Sequence, residues 1–175
     1  MQTDPTLLIM GGSLLAASLI GRRLRRFFKN KHRHRVKSAA RIIERVSQIE
    51  TPGAKLAYLR KIDPFTFEEV VLTLLERRGC QIKRNKRYTG DGGIDGQVWI
   101  NGEYHLIQAK RYKSHINAKH VEQFAALVAE KGCRGLFVHT GRTGKGSRTH
   151  AAPDSRVTIV SGQRLINLLS PTPVK

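Results

Sequence analysis

The stretch NGEYHLIQAKRYK, Asn101–Lys113, holds a turn, a strand and a basic exit. Asn-Gly between two apolar runs is a strong short signal for a two-residue hairpin. Ile94–Ile100 and Glu103–Lys110 are then antiparallel strands. A strand alternates its faces, so Gln108 and Lys110 point the same way. Polar groups on a sheet face cost little when solvated and much when buried without partners. The face is therefore either wet or a site. With Ile100 opposite Glu103, counting outward places Asp95 opposite Gln108, their Cβ atoms about 4.5–5.5 Å apart. Lys110 lies one step further along. A bulge near Gly92, Gly93 or Gly96 would shift this register.

These residue types suggest a chemistry. A carboxylate and an amide carbonyl are hard oxygen ligands that suit Mg2+. A neighbouring lysine orients a water or stabilises charge at phosphorus. The bland alternative is an Asp–Lys pair on a solvated face, which is common.

Outward from the hairpin, Asp63 is a candidate N-cap and Pro64 suits a first helical position. Phe67, Val70, Val71, Leu74 and Leu75 form an apolar stripe, closed by Gly79. Gln81–Lys86 is expected as a strand and YTGDGG as a loop. Asn117 caps a helix carrying Val121, Phe124 and Val128, and Gly132 ends it. Gly135–Thr140 and Val157–Val160 read as buried strands and Gln163–Leu169 as a last helix. The order predicts an α/β fold with a mixed sheet flanked by helices.

The chain has 175 residues and a net charge of +19, from 32 Lys+Arg against 13 Asp+Glu. Such a field favours polyanions, either nucleic acid or an acidic membrane surface. Cys80 and Cys133 are far apart and form no zinc motif. The run TGRTGKGSRT, Thr140–Thr149, imitates a phosphate loop, but Ser147 stands where the motif needs lysine. It is expected as a mobile basic loop instead.

Leu7–Gly21 is almost wholly apolar and is followed by RRLRRFFKNKHRHR. A spanning helix needs about 20 residues, and flanking arginines can snorkel. The expectation is a transmembrane anchor in residues 1–21, with everything after Arg22 in the cytoplasm by the positive-inside rule. A buried or interfacial helix is the alternative. Val36–Glu50 has a helical stripe of Ile42, Ile43, Val46 and Ile49, and TPGAKLAYLRKI holds a second short helix. Residues 22–62 read as a basic helical stalk and residues 63–170 as the folded domain.

The segments FEEVVLTLLERRGCQI, YTGDGGIDGQV, YHLIQAKRYK, VEQF and GLFVHTG, in this order, resemble the Mrr-like branch of the restriction endonuclease superfamily. That branch carries QxK in place of (D/E)xK on an α-β-β-β-α-β core. The resemblance covers about Asp63 to Leu169. It implies a Mg2+-dependent DNA endonuclease in restriction or foreign-DNA handling, at the bacterial inner membrane if the anchor holds. By the same resemblance Asp95, Gln108 and Glu68 are metal ligands and Lys110 the catalytic lysine. Glu69 is the neighbouring alternative to Glu68, and Gln123 matches a weaker polar position. Arg111, Lys113 and Lys119 are expected to contact DNA phosphates. A homodimer is expected from the need for two sites in double-strand cleavage. The separate DNA-recognition domain usual in that branch is not visible in this sequence, which leaves sequence specificity in doubt. The other readings are a catalytically silent DNA tether at the membrane and a basic lipid-surface protein.

Overall fold

The computed structural model describes residues 23, 33–85, 93–149 and 155–170. Helix α1 spans 33–47, α2 Pro52–Leu59 and α3 Pro64–Arg77. Strands β1 Gln81–Arg84, β2 Gly96–Ile100 and β3 Glu103–Lys110 follow, then α4 Ala118–Glu130 and β4 Arg134–His139. The chain continues through α5 Lys145–Thr149, β5 Val157–Val160 and α6 Gly162–Leu169. The sheet order is β1-β2-β3-β4-β5. β1, β2 and β3 pair antiparallel, whereas β3, β4 and β5 run parallel.

The caps follow from local chemistry. Thr51 accepts from the Ala54 N–H at 3.2 Å and Asp63 from the Thr66 N–H at 3.0 Å, each followed by a proline at the helix start. Asn117 accepts from the Lys119 N–H. These bonds satisfy amides that have no partner within the first turn. In the hairpin, Asn101 has φ 51° and Gly102 φ 82°. Two positive φ values are what a type I′ turn demands, and its twist matches that of the strands.

Helices cover both faces of the sheet. On one side Phe67, Val70 and Val71 of α3 and Leu165 of α6 pack on Val98, Ile107 and Val138. On the other, Val121, Phe124 and Val128 of α4 pack on Leu106, Phe137 and Ile159. β3 is central and buried from His105 to Ala109. The wet-face alternative for Gln108 therefore falls, because its side chain is itself buried.

Two expectations change. Ala39, Ile43 and Val46 of α1 and Leu59 of α2 are buried in the larger core. Residues 33–62 thus pack as part of the domain, not as a separate stalk. The apolar stripe of α1 needs a partner, and the domain supplies one. Likewise Lys145–Thr149 is a short helix where a mobile loop was expected. The apolar run 7–21 lies outside the described residues, as does the YTGDG part of the loop. No helix among the described residues is long and apolar enough to cross a membrane.

Candidate active site

The β2–β3 register runs as counted from Ile100↔Glu103 to Gly96↔Ile107. There it breaks. The Asp95 N–H donates to the Ile107 carbonyl at 2.8 Å, so Asp95 and Gly96 both address Ile107. Two residues against one is the geometry of a bulge. The Asp95 side chain is re-aimed, and its Oδ2 accepts from the Ala109 N–H at 2.7 Å. Asp95 is thereby tied to the β3 backbone at Ala109, the residue between Gln108 and Lys110 in sequence.

Gln108 is 6% exposed. Its Nε2 donates to the Gly93 carbonyl at 2.6 Å. Flipping the amide would set oxygen against oxygen, so this bond fixes the orientation. Oε1 is buried and has no hydrogen-bond partner. A buried carbonyl left in this state costs about 1–3 kcal/mol and calls for an explanation. Gly93 permits the arrangement. Its φ is 85°, and a Cβ there would lie 2.5 Å from Gln108 Nε2.

Glu68 projects from the first turns of α3 and is half-buried. Burial lifts its carboxyl to about 8, and Asp95 adds repulsion, while Arg35 and Lys110 oppose the rise. Asp95 and Lys110 are thus both close enough to act on Glu68. Glu69 points elsewhere. It is 1% exposed and pairs with Arg84 Nε at 3.1 Å, and Arg84 also grips Glu76 at 2.7 Å. The Arg84 hydrogen bonds hold Glu76 below the usual carboxylate range. That network ties β1 to α3, so of the two neighbouring glutamates Glu68 alone joins the cluster.

The basic exit divides. Lys113 and Lys119 are exposed. Arg111 is half-buried, and its Nη1 donates to the Arg60 carbonyl at 2.8 Å, while Arg60 Nε donates to the Thr140 carbonyl at 2.9 Å. These bonds brace α2 against the ends of β3 and β4. Gln123 is exposed on α4. Trp99 and Tyr104, on the α4 face of the hairpin, stack on each other at 5.3 Å.

Sequence reasoning missed a polar cluster beside Lys110. The Tyr112 hydroxyl bonds to His120 Nδ1. Burial, then Lys110, pushes the His120 pKa down, and burial raises that of Tyr112. His139 is fully buried, held at about 4 by burial, with Thr143 Oγ1 at 3.2 Å from its Nε2. Nothing in a lone Tyr112 or His120 announces this pairing, which depends on how α4 meets the end of β3.

Among the described residues no three His, Cys, Asp or Glu side chains come together as a metal cluster. The donor set is instead two carboxylates and one amide oxygen. The orphaned Gln108 Oε1 and the Asp95 carboxylate fit a hard divalent cation.

Comparison with known proteins identifies the family and the fold. A family model of the Mrr catalytic domain, described as restriction endonuclease, matches residues 59–169. The type IV methyl-directed restriction enzyme EcoKMrr of Escherichia coli K12 is 32% identical over 122 residues, covering 65% of this chain. The chain spans 40% of that relative's length. The MspJI restriction endonuclease, solved with a 27-mer oligonucleotide, superposes with a TM-score of 0.53 at 23% identity. That match covers 67% of this chain and 30% of the other, and it shows the fold. A mixed five-stranded sheet, a re-aimed aspartate before β2 and a QxK on β3 thus coincide with the family match, and the chain belongs to the Mrr-type restriction endonuclease family.

Proposed function

We propose that this chain is a Mg2+-dependent deoxyribonuclease that cuts DNA phosphodiester bonds internally, in restriction or foreign-DNA handling. The observations that carry the reading are the buried, unpartnered Gln108 Oε1, the Asp95 carboxylate bonded to the neighbouring Ala109 N–H, and a Glu68 that feels both Asp95 and Lys110. Asp95, Gln108 and Glu68 would hold the cation. A bound Mg2+ supplies Lewis-acid stabilisation of charge at phosphorus and acidifies water. Lys110 places an ammonium where a water would attack and offsets the charge that builds on the phosphate. Glu68 holds its proton at neutral pH in the ion-free protein and sheds it to become a ligand. Lys113, exposed after β3, and Lys119, exposed in the first turn of α4, contact flanking phosphates. Arg111 acts as a brace for the loop that carries Lys113.

Residues 7–21 would anchor the chain in a bacterial inner membrane, with the domain in the cytoplasm and basic residues following the apolar run. A homodimer would provide the second site for double-strand cleavage. The test is a plasmid-cleavage assay on the full chain with and without Mg2+, alongside Lys110→Ala. Mg2+-dependent nicking or linearisation, lost in the variant, supports the reading. Equal behaviour of the two proteins, with DNA binding retained, would mean a silent tether. For the anchor, release of the full chain from membranes by high salt excludes a spanning helix.

A further inference from the structure

Helix α1 lies upstream of the family match, and its two faces differ sharply. The inner face, Ala39, Ile43 and Val46, is buried in the larger core. The outer face carries Arg33, Lys37, Arg41 and Arg45, all exposed. Residues four apart line up as one ridge on a helix, inclined by about 26° to its axis. The ridge climbs about 6 Å per step and about 18 Å in all. None of the four makes an ion pair among the described residues. Of the four, Arg41 alone bonds a side chain among the described residues, Nη2 donating to Ser38 Oγ at 3.4 Å. Like charges at this spacing destabilise a helix. Packing does not require them, since the positions are exposed.

The ridge is also placed with respect to the site. The Arg35 guanidinium sits 4.4 Å over the Phe65 ring. Phe65 is one helical turn before Glu68 on α3. The described start of α1 therefore lies level with the candidate active site, with the ridge on the solvent face about 200° around the helix from Arg35 and leading away from the site. The apolar face of α1 is already used by the core, so the helix has no second apolar face to insert into a bilayer.

We propose that the α1 ridge is a phosphate-backbone contact that grips the duplex flanking the scissile bond; this rests on the nuclease reading. Four cations at intervals along one edge neutralise phosphates without reading sequence. The contact belongs to this chain's upstream helix and adds to Lys113 and Lys119.

The test measures binding of the full chain to an unmodified DNA duplex, in non-ionic detergent with EDTA, across a range of salt. The variant combines Arg33→Gln, Lys37→Gln, Arg41→Gln and Arg45→Gln, which preserves helix propensity. A charge-matched control combines Arg77→Gln, Lys131→Gln, Arg134→Gln and Arg156→Gln, at the end of the sheet away from Gln108. Each lost phosphate contact lowers the slope of log K against log salt by about 0.9. The ridge variant should lose about 2–4 slope units and at least tenfold in affinity at moderate salt, while the control changes little. Equal slopes in wild type and ridge variant overturn the proposal. So does an equal loss in ridge variant and control, which would assign the effect to overall charge. Loss of binding to anionic phosphatidylserine vesicles with DNA binding intact overturns it in favour of a lipid surface. A wild-type chain that does not bind DNA sinks the nuclease reading as well.

Discussion

Glu68→Gln should stabilise the ion-free protein while abolishing its activity. The Glu68 carboxyl rises from 4.5 to about 8 on folding, chiefly through burial. Its folded pKa is raised, so the folded state binds the proton more tightly than the unfolded chain. The stability it contributes is fully present below 4.5 and is lost as pH rises through 8. At neutral pH the unfolded chain has ionised this group and the folded chain has not. From 4.5 to neutral pH, at about 1.4 kcal/mol per pH unit, this comes to about 3.5 kcal/mol. Glu68 is half-buried, and solvent screening reduces that to about 1.5 kcal/mol. Glutamine has nearly the same shape and no proton to lose. The variant should match wild type near about pH 5, gain about 1.5 kcal/mol at neutral pH, and gain about 2 kcal/mol above pH 8. Urea melts in EDTA at these three pH values measure the difference, and groups common to both proteins cancel. For a chain this long the neutral-pH gain is about 3–6 °C in Tm. A variant that is less stable than wild type, or a difference that does not grow with pH, would refute the reasoning.

Gly93→Ala combines a positive φ with a Cβ 2.5 Å from Gln108 Nε2, so it should cost about 1–2 kcal/mol of stability and most of the cleavage. Thermal melts and the plasmid assay read the two effects separately. Ile43→Ala empties a buried position on α1, and chemical denaturation should show a loss of about 2–4 kcal/mol if α1 belongs to the domain. A loss below about 0.5 kcal/mol would return α1 to the role of a stalk. Calorimetry should find weak Mg2+ binding without DNA, because the site carries two carboxylates and an amide. Gln108→Glu should tighten that binding, although two carboxylates about 4 Å apart repel by about 4 kcal/mol at an effective dielectric of about 20.

The hairpin was legible because Asn-Gly supplies two positive φ values that few pairs tolerate. Its register was legible as far as Gly96↔Ile107. Beyond that point the path depends on the backbone of Gly93 and on the hydrogen bond from Asp95 to Ile107; the glycines around Asp95 signal a bulge but not where it falls. The Gln108–Lys110 pairing on one face was equally plain. Whether that face was wet depended on tertiary packing, including the Gly93 carbonyl that meets Gln108 from the preceding loop. Glu68 and Glu69 were indistinguishable on the page, since adjacent helical positions differ by only about 100° of rotation. Arg84 on β1 separates them by engaging Glu69. The stripe of α1 was visible, but the surrounding basic charge suggested a solvated stalk. Apolar residues at helical spacing carried more weight than the charge around them. The Tyr112–His120 pair was out of reach because it joins a strand exit to a helix face through tertiary packing alone.

The account turns on Gln108 Oε1 as a metal ligand, and anomalous diffraction tests that most directly. The full chain, crystallised with a DNA duplex and Mn2+ in the Lys110→Ala background, would locate the ion. The account predicts one peak within direct bonding distance of Gln108 Oε1 and an Asp95 carboxylate oxygen. An ion bound elsewhere, or Gln108 Oε1 left unligated with DNA in place, would contradict it.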